Sequence, residues 1–162
     1  MHNIKIISDK DIFFMNKALI YAEKAYILGE VPVGAVIESN GRIIASGVNM
    51  RETSKSALRH AEIDAIRRAC NVLGGWRLHN CTIYITLEPC PMCAGAIINA
   101  RINRVVYGAK DNRAGAFGSV LNLNNYPLNH KPEIISGVCG DECGTLLSRF
   151  FAELRKKHRK AD

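Results

Sequence analysis

The alternation of apolar and polar residues predicts the order of helices and strands. Apolar residues recur at helical spacing between Ile12 and Tyr26, and Ser8 and Asp11 stand where a capping box would begin this helix. Two apolar stretches of alternating character follow, VPVGAVIE and RIIASGV, separated by the turn sequence SNG. The first third of the chain is therefore predicted to form one helix and a β-hairpin.

After the hairpin, strand and helix patterns alternate. The predicted elements are a helix over 60–74, a strand over 81–88, a helix over 91–100, a strand over 104–109, a Gly- and Asn-rich loop over 111–133 with room for a short helix, a short element at 133–138 and a final helix over 141–157. Helical crossovers imply that the later strands are parallel neighbours. The pattern indicates an α/β fold with helices on both faces of a sheet.

Length and composition fit one globular domain, 1–162, ending in a basic helix and tail over about 141–162. The chain has 162 residues, of which 48% are hydrophobic and 23% charged. No apolar run approaches the roughly 18 residues of a membrane span, and MHNIKIISDK lacks a signal-peptide pattern. We therefore expect a cytoplasmic protein without a membrane partner.

The net charge of +7 is concentrated near the end of the sequence. The segment RKKHRK, from Arg155 to Lys160, holds five Lys or Arg in six positions. This segment suits an anionic partner such as nucleic acid. It equally suits a solvated helix end, where cations stabilise the helix dipole.

Cys90 and Cys93 are the most informative of the six cysteines. They are three residues apart at the predicted start of a helix, after Pro89, which places both sulfurs on one side of the first turn. Alone, this pair is compatible with a redox pair or a structural metal site. Cys70 and Cys81 are interpreted as small, inert interior residues.

His60 and Glu62 begin the preceding helix. If the strands before the two helices share a sheet, His60 can join Cys90 and Cys93 as a third zinc ligand, which leaves one position for water. Zinc lowers the pKa of such a water to roughly 7, and Glu62 beside it could transfer protons. H-x-E followed by P-C-x-x-C is the signature of zinc-dependent nucleobase deaminases.

From Phe13 to Arg155 the chain resembles bacterial tRNA-specific adenosine deaminases. The matching motifs are EVPVGAV, HAEI, TLEPCPMCAGA, ARINRVVYGAKD and AGAFGS. The resemblance implies the three-layer α/β/α cytidine deaminase-like fold, with a mixed sheet of about five strands. It also implies hydrolysis of adenosine to inosine at the first anticodon (wobble) position of tRNA, by attack of zinc-bound hydroxide on C6 of adenine and release of ammonia.

The resemblance also assigns roles to residues. His60, Cys90 and Cys93 match the ligands of one zinc ion per subunit, and Glu62 matches the proton shuttle. The partners implied are a tRNA anticodon stem-loop and a second copy of the chain in a homodimer. The residues expected to contact substrate are Asn49, Asp111, Phe150, Phe151 and Arg155.

The residues themselves leave alternatives open for several of these contacts. The Asn49 amide could read an adenine edge or hold its own loop, and the Asp111 carboxylate could accept from a ribose hydroxyl or cap its loop. At least one of Phe150 and Phe151 is expected to be core. His130 could contact RNA or brace its loop.

One departure from the family pattern lies beside the expected zinc site. Ser56-Ala57-Leu58-Arg59 stands where the family commonly has Asp-Pro-Thr-Ala, so the proline is absent and Arg59 adds charge next to His60. Met50-Arg51 likewise replaces the more usual arginine-proline. We expect an intact zinc site but an altered pocket edge and loop rigidity.

Two other functions remain compatible with these motifs. A guanine or other free-base deaminase would share the zinc site without needing a basic RNA surface. A non-catalytic RNA-binding module would instead close the zinc with a fourth protein ligand, for which Cys139 or Cys143 could be proposed.

Overall fold

The structure, a computed structural model, describes residues 6–160. Its helices are α1 Asp9–Ile27, α2 Ala61–Leu73, α3 Pro91–Asn99 and α4 Gly140–Arg159, and its strands are β1 Gly34–Ser39, β2 Arg42–Val48, β3 Cys81–Leu87, β4 Arg104–Ala109 and β5 Glu133–Ser136. A 3₁₀ turn, Leu123–Asn125, interrupts the long loop before β5. The predicted hairpin, helices and later strands are thus confirmed.

The five strands form one mixed sheet in the order β2-β1-β3-β4-β5. The hairpin strands are antiparallel, β1 is also antiparallel to β3, and β3, β4 and β5 are parallel to one another. Helices α2 and α3 pack against one face, and α1 and α4 pack against the other. The predicted three-layer α/β/α fold is therefore confirmed.

One edge of this sheet collects the chain segments that matter for function. Gly34 at the start of β1 pairs with Val48 at the end of β2, while Leu87 and Ala109 pair at the ends of β3 and β4. Helices α2 and α3 follow β2 and β3, so both begin at this edge. The fold thereby brings two helix N-termini together, as the sequence predicts.

Close packing fixes the start of α2 against the sheet. A Cβ atom added at Gly47 in β2 would overlap the carbonyl oxygen of Ala61 and lie 2.9 Å from the backbone nitrogen of Ala65. No side chain fits between strand and helix at this point. The first turn of α2 is therefore held at a fixed distance from β2.

The capping box at the start of α1 forms as predicted. Ser8 Oγ accepts from the Asp11 backbone nitrogen at 3.2 Å, and the Asp11 carboxylate accepts from the Ser8 backbone nitrogen at 3.3 Å. The fully buried Asp11 carboxylate also accepts hydrogen bonds from Nη1 and Nη2 of Arg104, at 2.6 and 2.9 Å, and from the Tyr84 hydroxyl at 3.1 Å. This network ties α1 to β3 and β4.

Asp11 should make the stability of the protein sensitive to acid. Burial alone would raise the pKa of this carboxyl, but the hydrogen bonds from Arg104 and Ser8, together with the charge of Arg104, outweigh it and lower the pKa from 3.8 to about 2. A depressed pKa in the folded state adds stability above pH 3.8 that is lost as the pH falls toward 2. We expect the ionised Asp11 carboxylate to contribute about 2 kcal/mol to the free energy of unfolding at neutral pH.

Urea unfolding of the protein and its Asp11→Asn variant between pH 6 and 3 checks this expectation. The difference in free energy of unfolding should shrink as the pH falls. Asp9→Asn is the matched control, because Asp9 is exposed in the same first helical turn. A difference that does not change with pH would contradict the assignment.

None of the helices within residues 6–160 combines the length and apolarity that a membrane crossing requires.

Candidate metal centre and active site

The side chains of His60, Cys90 and Cys93 converge at the sheet edge where α2 and α3 begin. His60 and Cys90 are the N-cap residues of these helices, and neither side chain makes a capping hydrogen bond. His60 Nδ1 lies 3.7 Å from Cys90 Sγ and 3.5 Å from Cys93 Sγ. All three ligand atoms lie within 4.8 Å of one another.

These distances fit a tetrahedral zinc ion. Zn–S bonds of about 2.3 Å and Zn–N bonds of about 2.05 Å place sulfur and nitrogen about 3.6 Å apart in a tetrahedron. Within residues 6–160, His60, Cys90 and Cys93 are the one group of His, Cys, Asp or Glu with this spacing. Cys143 instead lies in the core on the α1–α4 face of the sheet, with Cys139 packed against that core. Three protein ligands leave one coordination position for water.

The protonation of the cluster prepares it for a cation. A hydrogen bond from the Cys93 thiol, together with the one to His60, lowers the pKa of Cys90 to about 4. The same bond and burial raise the pKa of Cys93, and the bond to Cys90 raises the pKa of His60. The lowered pKa favours the thiolate form of Cys90. A bound metal would replace those protons.

Glu62 lies beside the cluster in the first turn of α2. Its side chain is 4% exposed, and burial raises the pKa of the carboxyl from 4.5 to about 7. A group with a pKa near the working pH can both accept and return a proton. Glu62 therefore has the position and protonation of an acid–base group.

A cavity of about 810 Å³ opens over His60 and Glu62. Its wall combines the end of the hairpin, the loop after β4 and one face of α4. The lining residues are Val31, Val33, Asn49, Arg51, His60, Ala61, Glu62, Leu87, Glu88, Cys90, Asp111, Asn112, Arg113, Ala114, Leu147, Ser148, Phe151 and Arg155. His60, Glu62 and Cys90 form the floor of this cavity. Three arginines line its walls, namely Arg51, Arg113 and Arg155.

Asn49 lines the cavity while holding its own segment. Its Nδ2 donates to the Val31 carbonyl at 3.0 Å, and its backbone nitrogen donates to the Val33 carbonyl at 3.1 Å. Its Oδ1 is buried and has no hydrogen-bond partner within the described residues. One end of the amide thus fixes the loop, while the other remains an acceptor without a partner.

Asp111 lines the cavity and also caps its loop. Its Oδ1 accepts from the backbone nitrogens of Arg113 at 2.9 Å and Ala114 at 3.2 Å. Loop capping, one of the two interpretations open from sequence, is observed. Because Asp111 also lies on the cavity wall, the contact of its carboxylate with a ribose hydroxyl stays a prediction.

The predicted residues of α4 divide into interior and cavity wall. Phe150 is 9% exposed and packs edge-on against Tyr26, with ring centroids 5.6 Å apart. Phe151 is 39% exposed and lines the cavity with Arg155, whereas Phe150 is not among the lining residues. His130 Nε2 hydrogen-bonds to the Ile102 carbonyl at 2.6 Å, so this residue braces its loop.

Glu88 organises the cavity, although sequence reasoning passed over it. Its buried carboxylate accepts from the backbone nitrogens of Asp111, Phe117 and Ser119, each at 3.1 Å, and from the Ser119 hydroxyl. The loop over 111–119 is wrapped around this one side chain. The available signal was a carboxylate at the end of a buried strand, two residues before Cys90.

Glu30 has the same role for the loop after β2. This buried carboxylate accepts from the backbone nitrogens of Thr53 at 2.6 Å and Glu52 at 3.1 Å. Burial would raise the pKa of Glu30, but these hydrogen bonds, another from the Thr53 side chain and the charge of Arg51 together outweigh it and lower the pKa. The loop therefore has a charged anchor at Glu52 and Thr53.

Comparison with known proteins places this site in a family. Residues 8–155 match the MafB19-like deaminase family. The tRNA-specific adenosine deaminase of Bacillus subtilis (strain 168) is 49% identical over 153 residues, which cover 94% of this chain and 95% of that protein.

Two solved structures are similar to this chain in fold and sequence. One, from a study of A-to-I editing by tRNA:A34 deaminases at the wobble position of transfer RNA, superposes with a TM-score of 0.81 and 43% identity, over 83% of this chain and 99% of that one. The structure of a guanine deaminase from Bacillus subtilis superposes with a TM-score of 0.59 and 33% sequence identity. The match covers 76% of this chain and 88% of that one. The chain therefore belongs to the tRNA-specific adenosine deaminase family and is an enzyme.

Proposed function

We propose that this enzyme converts adenosine to inosine at the first anticodon position of tRNA, using zinc held by His60, Cys90 and Cys93. The observation that carries the proposal is the placement of Glu62, buried beside the three ligand side chains at the floor of a cavity with arginines on its walls. The similarity to tRNA-specific adenosine deaminases supports the choice of substrate.

The reaction replaces the 6-amino group of adenine with an oxygen atom from water. A zinc ion at this site would lower the pKa of a water molecule to about 7 and so supply the nucleophile. Glu62 accepts a proton from the attacking water and delivers it to N1 of the purine. Once the oxygen is bonded to C6, Glu62 takes the second proton from that oxygen and transfers it to the amine, so that the C6–N bond breaks and ammonia leaves.

The cavity walls suit a nucleotide within a chain. The unpartnered Oδ1 of Asn49 can accept from a hydroxyl or amine of the nucleoside, and the exposed Phe151 ring offers a stacking surface. Arg51, Arg113 and Arg155 can contact phosphates on either side of the target. The net charge of +7 favours the same partner.

An anticodon loop satisfies the access that this site needs. Its bases are unpaired and can be turned outward, whereas a base inside a duplex cannot reach a buried carboxylate. The basic segment from Arg155 to Lys160 continues along α4 from the cavity wall, toward any RNA that extends beyond the target nucleotide. As the resemblance implies, we infer that the working form is a cytoplasmic homodimer.

Inosine formation tests the proposal directly. The zinc-loaded protein is incubated with a transcribed tRNA bearing adenosine at the first anticodon position, and separately with adenosine, adenine, guanine and cytidine. We expect inosine from the tRNA alone, with a KM that rises with salt because phosphate contacts release counterions. Activity on free guanine without salt dependence would instead favour the free-base deaminase, and no activity on any substrate would favour the binding module.

A further inference from the structure

An ion pair joins two residues on either side of His60, the N-cap of α2 and a proposed zinc ligand. Arg59 precedes His60, and its Nη2 lies 2.9 Å from Oδ2 of Asp64. Because His60 is the N-cap, these partners occupy the positions N′ and N4. A hydrophobic pair at the same two positions is known as a staple, since it fixes the angle at which the chain enters a helix.

The pair is well placed to act on backbone geometry. The Asp64 side chain is 4% exposed and the Arg59 side chain 39% exposed, so the carboxylate is shielded from water while the guanidinium is partly exposed. The Arg59 carbonyl accepts from the Met50 backbone nitrogen at 3.0 Å, and the Asp64 nitrogen donates to the His60 carbonyl at 3.2 Å. The chain is thus held on both sides of His60.

His60 needs this support because its ring is committed elsewhere. An N-cap side chain usually satisfies a free backbone donor of the first turn, whereas the His60 ring is turned toward the two sulfurs. The helix start therefore lacks its usual side-chain anchor. The close approach of Gly47 to Ala61 fixes the helix against the sheet but does not fix the direction from which the chain arrives.

We propose that Arg59 and Asp64 form an ionic staple that positions His60 and keeps zinc bound. The pair takes over the stiffening that a proline would give to the loop before His60. Arg59 is a positioning residue in this proposal and does not touch substrate. It is absent from the residues that line the cavity, and its charge is directed toward Asp64.

The contact depends on one nitrogen of the guanidinium. Nη2 meets Asp64, while the buried Nε has no hydrogen-bond partner within residues 6–160. A fork of parallel hydrogen bonds is therefore not required. Lysine, with a single charged nitrogen, should keep much of the effect.

The rate at which zinc leaves the loaded protein under excess chelator tests the proposal, followed with a colorimetric metal indicator. We expect Arg59→Ala and Asp64→Ala each to release zinc about tenfold faster, the lower end of what supporting partners of metal ligands contribute. The double alanine variant should be no faster than either single one, because both changes remove the same contact. Arg68→Ala, exposed on the same helix, is the control.

A hydrophobic replacement separates positioning from charge. The double variant Arg59→Leu with Asp64→Leu should return the release rate to within about twofold of the original, since an apolar pair at these positions also staples a helix start. If this variant releases zinc as fast as the double alanine variant, or if the single alanine variants match the unaltered protein, the proposal is wrong.

Amide exchange of the metal-free protein gives a readout that needs neither zinc nor activity. The Met50 and Asp64 amides should exchange faster in Arg59→Ala than in the unaltered protein. Arg59→Lys should largely restore their protection. Unchanged protection in Arg59→Ala would overturn the proposal. The inference rests on the proposed function only for the identity of the metal, so an inactive protein that holds zinc would refute the function and leave the staple testable.

Discussion

Glu62→Gln should keep zinc bound and lose nearly all turnover, by roughly 10²–10⁴-fold, the usual contribution of general acid–base catalysis. Glutamine has almost the same shape, so the first turn of α2 and the nearby His60, Cys90 and Cys93 should keep their positions. It cannot carry a proton from water to the purine. Turnover on tRNA and zinc content of the same sample measure the two effects together.

Glu142→Gln is the matched control, because this glutamate is exposed in the first turn of α4. It should change neither turnover nor zinc content. If Glu62→Gln stayed fully active, proton transfer through this residue would be excluded. If it lost zinc, the carboxylate would have to be counted among the groups that hold the metal.

Cys90→Ala should abolish both metal binding and deamination. The change leaves two protein ligands where zinc sites hold three or four, and it removes the sulfur with the lowered pKa. Zinc content should fall from about one per chain to nearly none after dialysis. Elemental analysis and inosine formation on tRNA measure the outcome.

Cys70→Ala provides the comparison for Cys90→Ala. Both cysteines are half-buried and free of disulfides, but Cys70 lies near the end of α2, away from His60. The control should keep its zinc and its turnover. Retention of zinc by Cys90→Ala would show that the metal is held by other residues.

The sequence predicted the fold well where local patterns decide the structure. The period of apolar residues indicated α1 and α2, Pro91 marked the start of α3, and Ser8 with Asp11 marked the start of α1. The metal cluster was predictable because both motifs begin helices that follow strands. Helices that follow strands of one sheet running in the same direction begin at the same edge, and β2 and β3 run in the same direction because both are antiparallel to β1.

Other features depend on contacts that no local pattern records. Glu30 and Glu88 bind backbone amides more than twenty residues away in sequence, and an amide donor leaves no trace in the side chains. Phe150 and Phe151 are adjacent and chemically identical. Only the packing of α4 on Tyr26 decides which ring is buried and which lines the cavity.

The pairing of β1 with β3 was also beyond the sequence. The hairpin and the crossovers predicted antiparallel β1–β2 and parallel later strands, but not which hairpin strand would adjoin β3. That choice depends on the burial of both faces of β1. Asn49, at the end of the hairpin, lies on the wall of the cavity.

Glu88 has a consequence for how this protein can change over generations. Three of its four hydrogen bonds go to backbone amides, which every residue except proline supplies. Asn112 and Arg113 can therefore be exchanged for other residues while the loop keeps its path beside the metal cluster. Gly115 cannot be exchanged in the same way, since a Cβ there would overlap the Glu88 carboxylate. Substrate preference can drift by substitution in this loop while the chemistry beneath it stays intact.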